Sequence, residues 1–112
     1  MKQRSINNVD IGSGRRYHAA LEEIFSKLGA DTHASHFLRE VRRSCSNASL
    51  AVEDDYCREQ LALIERYAGD LFSKATHQNW QRGSVPGVDV LKHKIGKCLG
   101  TFEARLISLA NA

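Results

Sequence analysis

One uninterrupted helical pattern, between Ser49 and Gly83, constrains the fold of this chain more than any other feature. Apolar residues recur in it at alternating steps of four and three, which keeps their side chains in one stripe on an α-helix. The stripe consists of Cys57, Leu61, Ile64, Ala68, Leu71 and Ala75. Further apolar residues widen it at its edges, namely Tyr56, Leu63, Tyr67 and Phe72. Together they cover roughly half of the helix circumference. One neighbouring helix cannot cover so wide an arc, so the pattern predicts a long central helix inside a bundle.

The rest of the chain predicts three further helices. Apolar stripes with the same spacing predict a first helix that begins at residue 13 or 14 and ends at 28, and further helices over 32–45 and 88–109. Ser13 would cap the first of these helices and Asp31 the second, because both side chains accept hydrogen bonds from free backbone N–H groups. The sequence therefore predicts an all-α bundle of about four helices, with the long third helix central and the fourth antiparallel to it.

Polar segments set the predicted boundaries within a chain whose 112 residues have the size of one domain. Residues 1–14 are polar and contain two glycines, so we expect a flexible N-terminal arm before a helical bundle over 15–112. The run of small and polar residues over 44–49 predicts a break between the second and third helices. Asn47 or Ser49 would then cap the third helix.

The last loop and the last helix carry a further expectation. Residues 82–87 contain the only proline and predict the loop before the fourth helix. Three lysines lie in the first half of that helix, where the helix dipole favours anions rather than cations. We therefore expect Lys92, Lys94 and Lys97 to face the acidic residues 53–55.

Composition excludes several classes of protein. The net charge of +3 is mildly basic and falls short of the usual excess in a dedicated nucleic-acid binder. Cys45, Cys57 and Cys98 form no close-spaced pair and fall on apolar faces, which predicts reduced, buried thiols in the cytoplasm. The first residues lack the apolar segment of a secretory signal, and no run is long enough to cross a bilayer.

No catalytic or metal-binding motif is present. The chain has no glycine-rich phosphate loop, no nucleophile elbow and no zinc-protease motif. His33 and His36 lie one helical turn apart, yet a metal site would need further ligands nearby. We therefore expect no catalysis, no metal and no cofactor.

A segment of four residues on the second predicted helix, 36–39 with the sequence HFLR, resembles the motif of histidine phosphotransfer domains. In those domains, which are also helical bundles, a leucine and a basic residue follow the histidine. The family pattern continues with a glycine and small residues, whereas this chain has Glu40, Arg42 and Arg43 there. The resemblance covers four residues and assigns the chain to no family.

The second predicted helix, over 32–45, also carries three arginines on its exposed side, Arg39, Arg42 and Arg43. With Gly29 as the turn residue, it could be the recognition helix of a helix-turn-helix, in which arginines contact bases and phosphates. A plain helical hairpin with a solvated basic face has the same pattern. A DNA-binding regulator of this kind is the alternative function.

The favoured interpretation is a protein-binding surface on the long third helix. Tyr56, Leu63 and Tyr67 lie at the edge of its apolar arc, and Trp80 follows in a polar setting. Tyrosine, tryptophan and arginine are the residues that most often anchor protein interfaces. We therefore predict a small cytoplasmic regulator or adaptor without catalysis, which binds another protein or a second copy of itself. Inhibition of a regulator's assembly or DNA binding is one such role.

Overall fold

Four α-helices make up most of the chain that the computed structural model describes, which comprises residues 9–27, 34–77 and 86–111. They are α1 (Ile11–Ser26), α2 (Ala34–Ala51), α3 (Asp55–His77) and α4 (Pro86–Ala110). Outside the helices of these ranges, the backbone forms one isolated antiparallel β-bridge between Val9 and Val52. The prediction of an all-α bundle of about four helices is confirmed.

The helices pack as a ring, α1 on α2, α2 on α3, α3 on α4, and α4 back on α1. Contacts between α3 and α4 show the direction of that pair. Asp54, just before α3, contacts Arg105 near the end of α4. Tyr67, further along α3, contacts Lys94 nearer the start of α4. The fourth helix is therefore antiparallel to the third, as predicted, and α3 lies between α2 and α4.

The first helix is antiparallel to α2. Where α1 begins, Val9 bridges to Val52 just after α2. Near the other end of α1, the ring of Phe25 meets that of Phe37 edge-on at 5.3 Å, close to the start of α2. The two helices thus run side by side along their length.

The core fills the centre of the ring and uses the predicted stripes. On α3, every stripe residue whose side chain the structure describes is buried. The side chains of Ala75 and Phe72 lie outside the described residues. The buried apolar residues of α3 and α4 are Cys57, Leu61, Ile64, Ala68, Leu71, Val88, Leu91, Ile95, Cys98, Leu99, Phe102 and Leu106.

The first helix begins at Ile11, earlier than the predicted start at Ser13 or Gly14. Asp10 is its N-cap instead of Ser13, because the Asp10 carboxylate accepts hydrogen bonds from the Ser13 N–H at 3.0 Å and the Ser13 hydroxyl at 2.7 Å. Residues 9–14, which the sequence assigned to the arm, therefore belong to the bundle. The rest of the predicted arm lies outside the described residues, as does Asp31.

The predicted break over 44–49 is wrong, because α2 continues through it to Ala51. Ser44 and Ala48 are buried on the inner face of α2, so packing against the neighbouring helices overrides the weak helix propensity of this run. Residues 52–54 link α2 to α3. Asp54 caps α3, in place of Asn47 or Ser49, by accepting a hydrogen bond from the Cys57 N–H at 3.0 Å. The last helix begins at Pro86, since proline lacks an N–H and suits the first helical position.

Candidate protein-binding surface

Three of the predicted interface residues lie along the side of α3 that meets α4. Tyr56 and Tyr67 each contact a cation of α4, and helical spacing places Leu63 between them on the same side. Tyr56 is 46% exposed, whereas Leu63 and Tyr67 are half-buried against the core. Trp80, the fourth predicted residue, lies outside the described residues.

A cation from α4 lies over each tyrosine ring. The guanidinium carbon of Arg105 is 5.9 Å from the centre of the Tyr56 ring. The Lys94 ammonium is 5.5 Å from the centre of the Tyr67 ring. Both distances fall within the range in which the negative face of an aromatic ring attracts a cation. We call this arrangement of Tyr56, Leu63, Tyr67, Lys94 and Arg105 the tyrosine seam.

Arg105 is itself held in place by a carboxylate. Its Nε donates to Asp54 Oδ2 at 3.0 Å and its Nη2 to Oδ1 at 2.8 Å, which is a two-point contact. These hydrogen bonds lower the pKa of Asp54 to about 2, against the opposing effect of its burial. They also raise the pKa of Arg105. The cation over Tyr56 is therefore fixed by a contact that also caps α3.

The expected pairing of the three lysines with residues 53–55 is wrong. Because α3 and α4 are antiparallel, the start of α4 lies at the opposite end of the bundle from the start of α3. Asp54 faces Arg105 instead, and Lys94 lies over Tyr67. Arg105 was not predicted from the sequence, since nothing in a single sequence joins two charges 51 positions apart.

The predicted basic residues of α2 form a separate patch. Arg39, Arg42 and Arg43, which we call the arginine patch, are all exposed. Carboxylates offset part of its charge: Arg43 Nη2 is 3.7 Å from Glu40 Oε1, and Arg42 counteracts the rise in the pKa of Glu65 that burial causes. Because α2 packs on the far side of α3 from α4, the arginine patch is not continuous with the tyrosine seam.

The packing of α1 and α2 bears on the alternative function. A helix-turn-helix crosses its two helices at about 90–120°. Here α1 and α2 lie side by side, in contact from the Val9–Val52 bridge to the Phe25–Phe37 pair. This geometry is that of a plain helical hairpin.

The thiols lie in surroundings that suppress their reactivity. Cys45, Cys57 and Cys98 are buried and free. Burial is the main cause that raises the pKa of Cys45 and of Cys57 to about 12, and it also raises the pKa of Cys98. Thiols with raised pKa values are poor nucleophiles and poor metal ligands at neutral pH.

Histidines and carboxylates form no metal site in the part of the chain that the structure describes, where no three such ligands come together. His36 is exposed, and His33 lies outside this part. His18 is buried, which was not predicted from the sequence, and its Nε2 donates to the Leu99 carbonyl at 3.1 Å. Its position three residues before Leu21, on the core side of α1, is the sequence signal that could have identified it.

Comparison with protein-family models, with curated proteins and with solved structures finds no match to this chain. Among the described residues, no helix has the length and apolar character that crossing a membrane requires. The sequence and the geometry of its surfaces therefore supply the arguments about function.

Proposed function

We propose that this chain is a small non-catalytic regulator or adaptor that acts in the cytoplasm by binding another protein through the tyrosine seam. The observation that carries the proposal is the pair of tyrosines in the seam, each under a cation of α4 and neither fully covered by the bundle. Tyrosine anchors interfaces because it presents a large apolar ring with a hydroxyl that can hydrogen-bond. The buried thiols agree with a reducing compartment.

The tyrosine rings are restricted in rotation before any partner binds, which favours their use as a protein-binding surface. Ordering a free side chain at an interface costs about 0.5–1.5 kcal/mol. In the tyrosine seam, the contacts with Arg105 and Lys94 limit the rotation of both rings in the unbound chain. A partner therefore meets a surface that is partly organised in advance.

A pair of matched variants tests the proposal. Tyr67→Asp places a charge in the tyrosine seam, whereas Ala62→Asp places the same charge on an exposed position of α3 outside the seam. Wild-type and variant chains are used as baits in lysate of the source cells, and captured proteins are quantified by mass spectrometry. Circular dichroism confirms that each bait is folded.

We expect a protein that the wild type and Ala62→Asp capture equally and that folded Tyr67→Asp loses. If a second copy of the chain is that protein, light scattering will show a dimer of the wild type and a monomer of Tyr67→Asp. Capture that is unchanged in folded Tyr67→Asp would contradict the proposal.

DNA binding through the arginine patch is the second candidate function. Its support is that Arg39, Arg42 and Arg43 are all exposed on one helix. The side-by-side packing of α1 and α2 favours phosphate contacts by a basic face over insertion of a recognition helix. Binding to random duplex that weakens steeply with salt, and that the triple alanine variant loses, would support this function; no binding at low salt would exclude it.

A further inference from the structure

Two parallel rows of side chains make up the tyrosine seam and its border. One row, on α3, consists of Tyr56, Leu63 and Tyr67. The other, on α4, consists of Lys94, Lys97 and Arg105, which we call the cationic row. Each row spans eleven residue steps, which at about 1.5 Å per residue is about 16 Å, or three helical turns. The cation–ring contacts at both ends show that the rows run side by side.

Two cations of the cationic row remain available for ion pairs with a partner. Lys94 and Lys97 are exposed, and neither forms an ion pair within the described part of the chain. Arg105 is already bound to Asp54. Helical spacing places the nearest exposed carboxylates of α3, at positions 59 and 70, on the side of the tyrosine row that is turned away from α4. The border along α4 is therefore positive beside an apolar and aromatic row.

We propose that the partner of the tyrosine seam presents an acidic amphipathic helix, an inference that rests on the proposed function. Its apolar side chains, at steps of three and four residues, would lie on Leu63 and the two tyrosines. Its glutamates or aspartates would lie beside Lys94 and Lys97. A helix fits because two antiparallel helices in contact over three turns form a furrow, which accepts a third helix by the packing of ridges into grooves.

The charge complementarity selects this occupant. A basic helix would bring like charges beside the cationic row, and an uncharged helix would leave both lysines without an ion pair. Two solvent-exposed ion pairs correspond to a difference of about two- to thirtyfold in affinity. The partner is therefore recognised by its acidic side as well as by its apolar one.

A display library of helical peptides tests the inference. The peptides carry variable apolar residues at steps of three and four, and the flanking positions contain glutamate, lysine or glutamine in equal amounts. Selection on the wild-type chain is compared with selection on the Lys94→Glu/Lys97→Glu variant. The matched control is Arg39→Glu/Arg43→Glu, which reverses two charges of the arginine patch on α2. Circular dichroism checks the fold of each.

We expect the wild type and the α2 control to enrich glutamate at the flanking positions, and the Lys94→Glu/Lys97→Glu variant to enrich lysine. An enriched acidic peptide should bind that variant about two- to thirtyfold more weakly than the wild type, and the difference should shrink in high salt. Flanking positions without charge preference, or enriched in lysine on the wild type, would overturn the inference. Tighter binding of a random DNA duplex than of any selected peptide would also overturn the inference, if the Lys94→Glu/Lys97→Glu variant no longer binds that duplex.

Failure of the inference and failure of the proposed function are distinguishable. Basic or uncharged peptides that folded Tyr67→Asp no longer binds would overturn the acidic partner while leaving the tyrosine seam as a binding surface. Loss of the seam itself is judged separately, from the proteins that the full chain and its Tyr67→Asp variant capture.

Discussion

The two sides of the contact between α3 and α4 differ in how their residues are held. On the inner side, Ile64 of α3 and Phe102 of α4 are completely buried. On the outer side, Tyr56 remains 46% exposed and lies under Arg105. Non-directional apolar packing holds the inner residues, whereas contacts between specific charged and aromatic groups hold the outer ones. One helix pair thus combines a fully buried surface that stabilises the fold with a surface that remains partly exposed.

Because of this difference, substitutions on the two sides should have separate effects. Removal of inner atoms leaves a cavity that the surrounding residues cannot refill, so it lowers the free energy of unfolding. Removal of outer atoms mostly exchanges a contact with protein for a contact with water. We expect inner variants to unfold more readily, and outer variants to remain folded with altered binding.

The largest expected effect is on the free energy of unfolding, and it should distinguish two adjacent residues of α3. Ile64→Ala should lower the free energy of unfolding by about 2–5 kcal/mol, because Ile64 is fully buried. Leu63→Ala should lower it by no more than about 1.5 kcal/mol, because Leu63 is only half-buried. Urea unfolding followed by circular dichroism measures both. Ile64→Val, with an expected loss of about 0.5–1.5 kcal/mol, replaces the alanine variant if that variant does not fold. Equal losses at 63 and 64 would remove the distinction between the two sides.

Two helical glycines also differ in burial, since Gly14 is buried inside the ring of helices and Gly100 is exposed on its outside. A methyl group on Gly14 would lie 2.8 Å from Val52 Cγ2 and 2.9 Å from Leu106 Cδ2, and both neighbours are fully buried and cannot swing into solvent. Gly14→Ala should therefore destabilise the bundle by about 1–3 kcal/mol.

The matched control for Gly14→Ala is Gly100→Ala, because a methyl group on Gly100 meets no atom within 4 Å. Alanine has the higher helix propensity, so this variant should be more stable than the wild type by roughly 0.5–1 kcal/mol. Thermal unfolding of both variants gives the comparison. A stabilising Gly14→Ala would show that α1 is not tightly packed there.

The smallest of the three effects concerns the Asp54–Arg105 contact at one end of the tyrosine seam. The pKa of Asp54 is lowered from 3.8 to about 2, so its contribution is complete above about pH 4 and is lost as the pH falls through 2. We expect a loss of about 1–2 kcal/mol over that interval. Asp54→Asn keeps an N-cap side chain but removes the charge, so its stability should depend less on pH in this interval.

Urea unfolding at a series of pH values measures this difference between the wild type and Asp54→Asn. Other carboxylates titrate in the same range, and subtraction of the two curves removes their contribution. Parallel curves would mean that the charge of Asp54 adds nothing to stability.

Local apolar periodicity predicted the helices and most of the core, because burial of a helix face requires that spacing. It could not predict the length of α2, where Ser44 and Ala48 stay helical because they are buried against neighbouring helices. The serines and the asparagine of 44–49 have weak helix propensity and therefore predict a break, which packing removes. The N-cap of α3 was predicted at Asn47 or Ser49 instead of Asp54 for the same reason, since the predicted helix began too early.

Part of the candidate surface was also predictable from the sequence, and part of it was not. The tyrosine row was predictable, since Tyr56, Leu63 and Tyr67 follow from the spacing along one helix. The cations of α4 that lie over the tyrosines were not, because Lys94 and Arg105 reach them only in the register that α4 adopts against α3. Contacts between distant segments depend on the register of two helices, which the pattern of either one does not contain.

The closed ring of helices has a consequence for the order of the chain. Gly14, in the first turn of α1, lies against Leu106, near the end of α4, so the first and last helices are neighbours like the other adjacent pairs of the ring. A circular permutation that joined these two helices by a short linker and opened another connection would preserve all four helix contacts. It would make the α1–α4 contact local and another contact long-range. The order of the helices in the chain thus governs the route and speed of folding more than the final arrangement.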